Sequence, residues 1–519
     1  MNYAQSSPFN LYIKPLEING LGGLQSYAWG QDNGKWLIIG GRLDGLHRRQ
    51  PFAAFDVAGN NKQLIVVDPA SKQVWTAPLT SLSVAIQEQL SSTNMEFHQT
   101  GKTLYLIGGY GYNAASGSKK TFDNLCAVNV PEVINAVINQ TSFTNYFRQI
   151  SHSALAVTGG HLEMMHSEYY LIGGNRFDGN YNPMGNPTYT QVYTNAVQTF
   201  KILDKDTTLQ IQLLKKWTDT AQFHRRDYNA VPQIMPNGKE GITAFSGVFQ
   251  TKINLPYLGS VSFDSSMYKA DSGFQQYYNH YHCAVLPMYS ESLNTMHSVF
   301  FGGIAQYYDS AGILVQDNNV PFVNTIARVS RNANNQLSEY KLPVVMPALL
   351  GAGAEFILND DIAHFDNGVI KLDSINGDSA LVGYIYGGIS STAPNVFFTN
   401  TGTQSSASKT IFEVYISKSN NSSIHTLNTH SNNALRLQVL PNPTYGELTL
   451  NFYLSNSTPC YISITDSHGK LLEKTKIENT TIGLNTFRSH VLSQHSEAIY
   501  FISVANENES ATQKVILKR

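Results

Sequence analysis

At 519 residues the chain is longer than one ordinary domain unless a repeat architecture absorbs the length. Charged residues make up only 14% and the net charge is -2, which removes any electrostatic case for nucleic acid or an anionic membrane. Thirty-nine glycines, 29 tyrosines and 25 phenylalanines favour strands joined by tight turns. The three cysteines, Cys126, Cys283 and Cys460, are odd in number and far apart, so neither a disulfide framework nor a zinc knuckle is expected.

The first residues, Met1 to Gln5, carry neither a charged leader nor an apolar stretch, and no run long enough for a membrane span follows. Leu11 to Ile18 (LYIKPLEI) resembles the later segment from Glu339 (EYKLPVVM), so it is expected to be a strand of the same kind. One pattern then recurs: a short apolar run ending in two small residues. It ends at Gly40-Gly41, Gly108-Gly109, Gly173-Gly174, Ser246-Gly247, Gly302-Gly303 and Gly387-Gly388. A strand-like run precedes each: LQSYAWG from Leu24, MEFHQ from Met95, ALAVTGG from Ala154, NAVPQIM from Asn229, HCAVLPM from His282 and AEFIL from Ala354. A third run follows most of them, as in LIVVD from Leu64 and TIFEVYIS from Thr410, and often a fourth, as in VWTAPL from Val74. Four antiparallel strands per unit and six units make a radial repeat. Paired glycines allow positive φ and close backbone approach where units crowd together. Between the second and third units, PEVINAVINQ from Pro131 has helical spacing with a proline at its start, which predicts a short helix.

Residues 419–434 are rich in Asn, Ser and Thr without apolar periodicity, as a linker is. Beyond them, short alternating runs separated by turns (PNPTYGELTL from Pro441, ITDSHGKLL from Ile464, YFISV from Tyr500, QKVILKR to Arg519) predict a sandwich of about seven strands.

The Gly-pair pattern over residues 8–418 resembles kelch repeats of the galactose-oxidase-like propellers, and Trp75 falls where the repeat's late Trp belongs. The three C-terminal runs resemble the type IX secretion C-terminal sorting domain of Bacteroidetes in order, spacing and terminal position, although Glu497-Ala498-Ile499 stands where that family often has Gly. The fold class expected is therefore all-β. A six-bladed kelch-type β-propeller over 1–418 is closed by the N-terminal strand; a linker spans 419–434; a small Ig-like β-sandwich spans 435–519. The second resemblance implies export, engagement of the type IX machinery, and release or attachment at the outer-membrane surface. A signal peptide is then expected to have been removed, with Ala4-Gln5 near the cut.

In a four-stranded antiparallel unit, residues just before the first strand and just after the Gly pair share one end. That end gathers Arg42, Asp44, His47, Arg48 and Arg49, then Arg176 and Asp178, then His224, Arg225, Arg226 and Asp227, then His280 and His282. In a chain poor in charge, such a cluster suits a carboxylate, a phosphate or a sugar. Tyrosines of the same loops (Tyr110, Tyr112, Tyr181, Tyr189, Tyr277, Tyr278, Tyr307 and Tyr308) can stack on sugar rings or pack the loops. Copper sites of the galactose-oxidase-like family use His, Tyr and a Tyr–Cys crosslink. His280, Tyr281, His282 and Cys283 supply these residue types but at the wrong spacing, so no metal and no cofactor is expected. A kelch-based mutarotase site needs a Glu and an Arg near the axis, here Glu355 with Arg225 or Arg226. The function expected is an exported binding protein whose propeller face engages a glycan or a protein. The alternative is a carbohydrate-active enzyme: a mutarotase, lyase or oxidase.

Overall fold

In a computed structural model the residues described are 8–185, 188–205, 207–271, 273–310, 313–375, 377, 379–418, 435, 437–454, 456–466, 470–506 and 510–519. The expected linker 419–434, the N-terminal Met1 to Gln5 and residues 467–469 lie outside them. The chain divides into two compact units, Met1–Ser419 and Asn420–Arg519.

The first unit is all-β and holds six successive sheets, each with four antiparallel strands; in the fifth, Ile370–Lys371 adds a parallel partner to Val285–Ser290. Their first strands are β1 (Ala28–Asp32), β2 (Thr93–Thr100), β3 (His161–Met165), β4 (Asn229–Ile234), β5 (Val285–Ser290) and β6 (Leu349–Leu358). In each sheet the second strand is almost wholly buried, as in Lys35–Ile39, and reads as a continuous apolar run because neighbouring structure covers both faces. The fourth strand, such as Gln73–Pro78, is half exposed and mixes polar with apolar residues. In the sixth sheet the fourth place is taken by Phe9–Leu16, antiparallel to Ile411–Lys418 with Phe9 opposite Lys418 and Leu16 opposite Ile411.

The Gly pairs act at the junctions between sheets. The second residue of a pair donates its N–H to the next sheet's leading segment: Gly41 to Ser92 O, Gly109 to Val157 O, Gly174 to Arg225 O, Gly247 to His280 O and Gly388 to Leu24 O. The last of these runs from the sixth sheet to the first. A second set of backbone bonds passes once through every sheet. Ser26 N–H donates to Gly353 O, Gly353 to His282 O, His282 to Asp227 O, Asp227 to Gly159 O, Gly159 to Asn94 O and Asn94 back to Ser26 O, over 2.8–3.3 Å. These peptide groups find partners in one another because they have no ladder neighbour, four of them lying ahead of a first strand and two, Asn94 and Gly353, at positions the ladder skips.

Three features depart from the sequence reading. The run from Ala154 is not a strand: Ser153–Leu155 is a 3-10 turn, and the third sheet begins at His161. Leu155 and Val157 seat in the core between the second and third sheets, and Val157 O is already engaged by Gly109, so the segment is an inter-sheet bridge. A helix, Val84–Leu90, was not anticipated; seven residues carry too little periodicity to read. The helix expected from Pro131 is Val130–Asn139, capped by the Asn129 side chain and ended by Gln140 at φ 54°, but it joins the third and fourth strands of the second sheet, Asn124–Asn129 and Phe147–Ser151, instead of two successive units.

The second unit contains the strands Gln438–Leu440, Leu448–Leu454, Cys460–Asp466, Leu471–Ile477, Gly483–Ser489, Ala498–Ala505 and Ser510–Leu517, in two sheets. Its Pro441 to Gly446 turn clasps the last strand. Thr444 N–H donates to Ile516 O at 2.8 Å, Lys518 N–H to Thr444 O at 2.9 Å, and the Asn442 amide to Lys514 O at 2.7 Å. Among the described residues all three cysteines are buried and none is in a disulfide, and no helix is long and apolar enough to cross a membrane.

Candidate functional site

The six first strands and the residues leading into them line one cavity of about 560 Å³. Strand β1 contributes Trp29 and Gln31, β2 Glu96, Phe97 and His98, β3 His161 and Glu163, and β6 Glu355 and Phe356; Asp227 and His282 enter just ahead of β4 and β5. The hydrogen-bonded circuit through Ser26, Asn94, Gly159, Asp227 and His282 borders one end. Asn33, Gly101, Asp360 and Asp366, all exposed, border the other.

The polar groups are held in a definite charge pattern. His282 Nε2 lies 3.1 Å from Glu355 Oε1. Burial opposes the imidazolium, but the Glu355 carboxylate outweighs it and holds His282 above its ordinary value. The neighbouring His161 ring stands edge-on to His282 with centroids 5.3 Å apart, and its Nε2–H donates to Tyr228 O. Burial, reinforced by the charge on His282, pushes His161 down to about 3. Glu163 Oε2 is 3.8 Å from His98 Nδ1. Burial, then the Glu355 charge, pushes Glu163 up to about 8, while burial lowers His98 to about 4. Glu96 Oε1 accepts Gly160 N–H at 2.8 Å, Oε2 is buried without a hydrogen-bond partner, and burial pushes this carboxyl up to about 8. At neutral pH the cavity thus presents two carboxylic acids and two neutral imidazoles beside the His282–Glu355 contact. Such a set donates to and accepts from hydroxyl groups and can move protons between them. Trp29 and Phe97, T-shaped at 6.3 Å, supply an apolar wall together with Phe356.

Of the candidates read from the sequence, Asp227, His282, Cys283 and Glu355 line this cavity. Asp227 is ion-paired to Arg226, whose guanidinium also donates to Tyr193 OH at 3.1 Å. The other residues are engaged in holding loops. Arg42 is 2% exposed and grips Asp44 (2.6–2.7 Å), Asn60 (2.7 Å) and Asp56 O (3.0 Å). His47 sits between Phe55 and Tyr181, its Nδ1 buried without a partner. Arg48 is exposed, and Arg49 donates to Phe398 O. Arg176 pairs with Asp178 in the open. His224 stacks on Tyr193 and bonds Asn195. Arg225 is spent on the carbonyls of Gln222, Ser246 and Gly259 and lies over Tyr257. His280 donates to Gln276 O at 2.8 Å and accepts from Gln306 N–H at 2.9 Å. The loop tyrosines pack against one another and against phenylalanines, as in Tyr110 on Phe177, Tyr181 on Tyr189 and Tyr277 on Tyr307.

The sequence reading passed over Glu96, His98, His161 and Glu163. Their signal was present: Glu96 and His98, and His161 and Glu163, are each two apart in a first strand. Period two puts both members of a pair on one face.

Residues 438–518 match the family described as the secretion system C-terminal sorting domain. This domain directs the chain to secretion or to the outer-membrane surface through the type IX machinery. No curated protein matches the chain. Among solved structures, the chain is similar to YjhT at 11% identity, covering 78% of this chain and 99% of that one with a TM-score of 0.41. A fungal alcohol oxidase of the AA5 family in complex with copper matches at 9% identity, covering 99% and 100% of the two chains with a TM-score of 0.38. An exo-1,5-alpha-L-arabinanase from a bovine ruminal metagenomic library matches at 9% identity, covering 67% and 97%, with a TM-score of 0.26.

Proposed function

We propose that the chain is an exported surface or secreted glycan-binding protein whose ligand enters the cavity between the six first strands. We take residues 1–418 as a six-bladed kelch-type propeller closed by the N-terminal strand, 419–434 as a linker and 435–519 as the sorting domain. The hydrogen-bonded circuit through six sheets and the pairing of Phe9–Leu16 with Ile411–Lys418 support the ring.

The observation that carries the glycan reading is the cavity lining itself: acids and neutral imidazoles matched to hydroxyl groups, beside an aromatic wall for a sugar's C–H face. Its concavity favours a small ligand or a chain end over a flat protein partner. The test is a glycan-array screen of the full chain followed by titration calorimetry. Trp29→Ala should weaken the best ligand roughly tenfold, equivalent to about 1.4 kcal/mol. A ligand whose affinity ignores Trp29→Ala but falls with Arg176→Ala would contradict the placement.

A second reading, a carbohydrate-active enzyme, is favoured by Glu163 and Glu96, two acids held protonated at neutral pH in one cavity. NMR of the bound sugar would report it: anomeric exchange or a new double bond that disappears in Glu163→Gln selects the enzyme over the binding protein.

A further inference from the structure

We propose that the cavity selects a sugar carrying a free amine over its acylated and acidic counterparts. The inference rests on the glycan reading and names the class within it. Its basis is the balance of ionisable groups. Seven carboxyl side chains line the cavity and no lysine or arginine does. Two of the seven have charged partners: Asp227 is held by Arg226, and Glu355 by His282. None of the other five is ion-paired to a lysine or arginine among the described residues: Asp32, Asp360 and Asp366 lie towards the exposed end, with His364 near Asp360, and Glu96 and Glu163 lie inside, Glu163 beside the neutral His98 ring at 3.8 Å. Asp32 and Asp360 accept hydrogen bonds from neutral amides, those of Asn33 and Gln31 respectively.

A second observation is independent of that count. Glu96 is 2% exposed, and its Oε2 has no hydrogen-bond donor in a region where every sheet contributes polar groups. A buried carboxyl oxygen left unmatched by the protein is matched at little cost by an ammonium or hydroxyl donor from a ligand.

The consequences differ by ligand class. A uronic acid brings a carboxylate towards aspartates with no lysine or arginine in the lining to receive it. An N-acetylated sugar satisfies hydroxyl partners but draws nothing from the excess acid. An ammonium is attracted by Asp360 and Asp366 on entry. Inside, it favours the ionised form of Glu163, so that binding releases a proton from a carboxyl that burial otherwise keeps protonated. Trp29 and Phe97 also suit a cation, since an aromatic face attracts positive charge.

The experiment is titration calorimetry of the full chain at neutral pH with three probes: a β-1,4-linked glucosamine oligomer, its fully N-acetylated counterpart and an oligogalacturonate of the same length. The expected result is tighter binding of the amine form than of the acetylated form, by roughly tenfold or more, and no binding of the uronate. The preference should shrink at high salt and in the double variant D360N/D366N. Equal or tighter binding of the acetylated oligomer, or any comparable binding of the uronate, overturns the amine selection and leaves the glycan reading standing. Failure of all three probes, with no hit in the glycan screen, overturns both. The wild-type panel decides the matter if the double variant does not fold.

Discussion

At the scale of single residues, Glu163 has the clearest consequence. Its ordinary value is 4.5, and in the fold burial raises it to about 8. Between these two values the folded state binds more protons than the unfolded one, so this residue's contribution to stability falls as pH rises from about 4.5 to about 8 and is flat beyond. Glu163→Gln keeps the shape and removes the titration. The variant should melt with the wild type near pH 5 and above it near pH 9, by about 2 °C or more. A difference that does not change across that range would show that Glu163 is not buried as described. Residue-level chemistry was only partly legible in the sequence. The Arg and His residues after the Gly pairs stand out in a chain poor in charge. Their partners are supplied by loops distant in sequence: Asn60 for Arg42, Ser246 O and Gly259 O for Arg225, and Gln306 for His280. Only folding shows that those charges are already used.

At the scale of elements, the junctions between sheets explain why the Gly pairs could be read. Gly302 has φ +62°, and a Cβ there would meet Leu350 O at 1.9 Å, a backbone atom of the next sheet that cannot step aside alone. Gly302→Ala should therefore cost about 2 kcal/mol or more, seen as a lower urea midpoint with the slope unchanged. Wild-type stability in that variant would contradict the close approach. The fourth sheet shows the alternative: Ser246 occupies the equivalent place at φ 52° and turns its hydroxyl onto Tyr257 O at 2.7 Å. Its weaker pattern in the sequence reflects a different solution at that junction. The run from Ala154 misled for the converse reason. Its apolar residues serve an inter-sheet core, which one sequence window cannot distinguish from a strand.

At the scale of the whole molecule, the second unit was the most legible part because its defining residues act locally on the chain's own end. Asn442 and Thr444 bind the last strand directly, so motif, spacing and terminal position belong to one physical device. Its hydrophobic cluster, from Leu435 to Leu517, contains only its own residues. Deleting 435–519 should leave the remaining chain folded, with its far-UV circular dichroism that of a β protein, and abolish its appearance outside the cell. Normal export of the truncated chain would contradict the sorting assignment. The cavity, by contrast, is assembled from six strands spread over most of the first unit. The polar residues are divided unevenly, four on Thr93–Thr100 and one each on Asn229–Ile234 and Leu349–Leu358, and no local window shows that they face one another.

The central claim is that the ligand lies among the six first strands. The most direct measurement is a crystal structure of the full chain soaked with the tightest ligand from the glycan screen. Ligand density bounded by Trp29, Glu163 and His282 is the result expected. Density seated instead on the loops of Arg176 and Arg48, with that cavity holding only solvent, would contradict it.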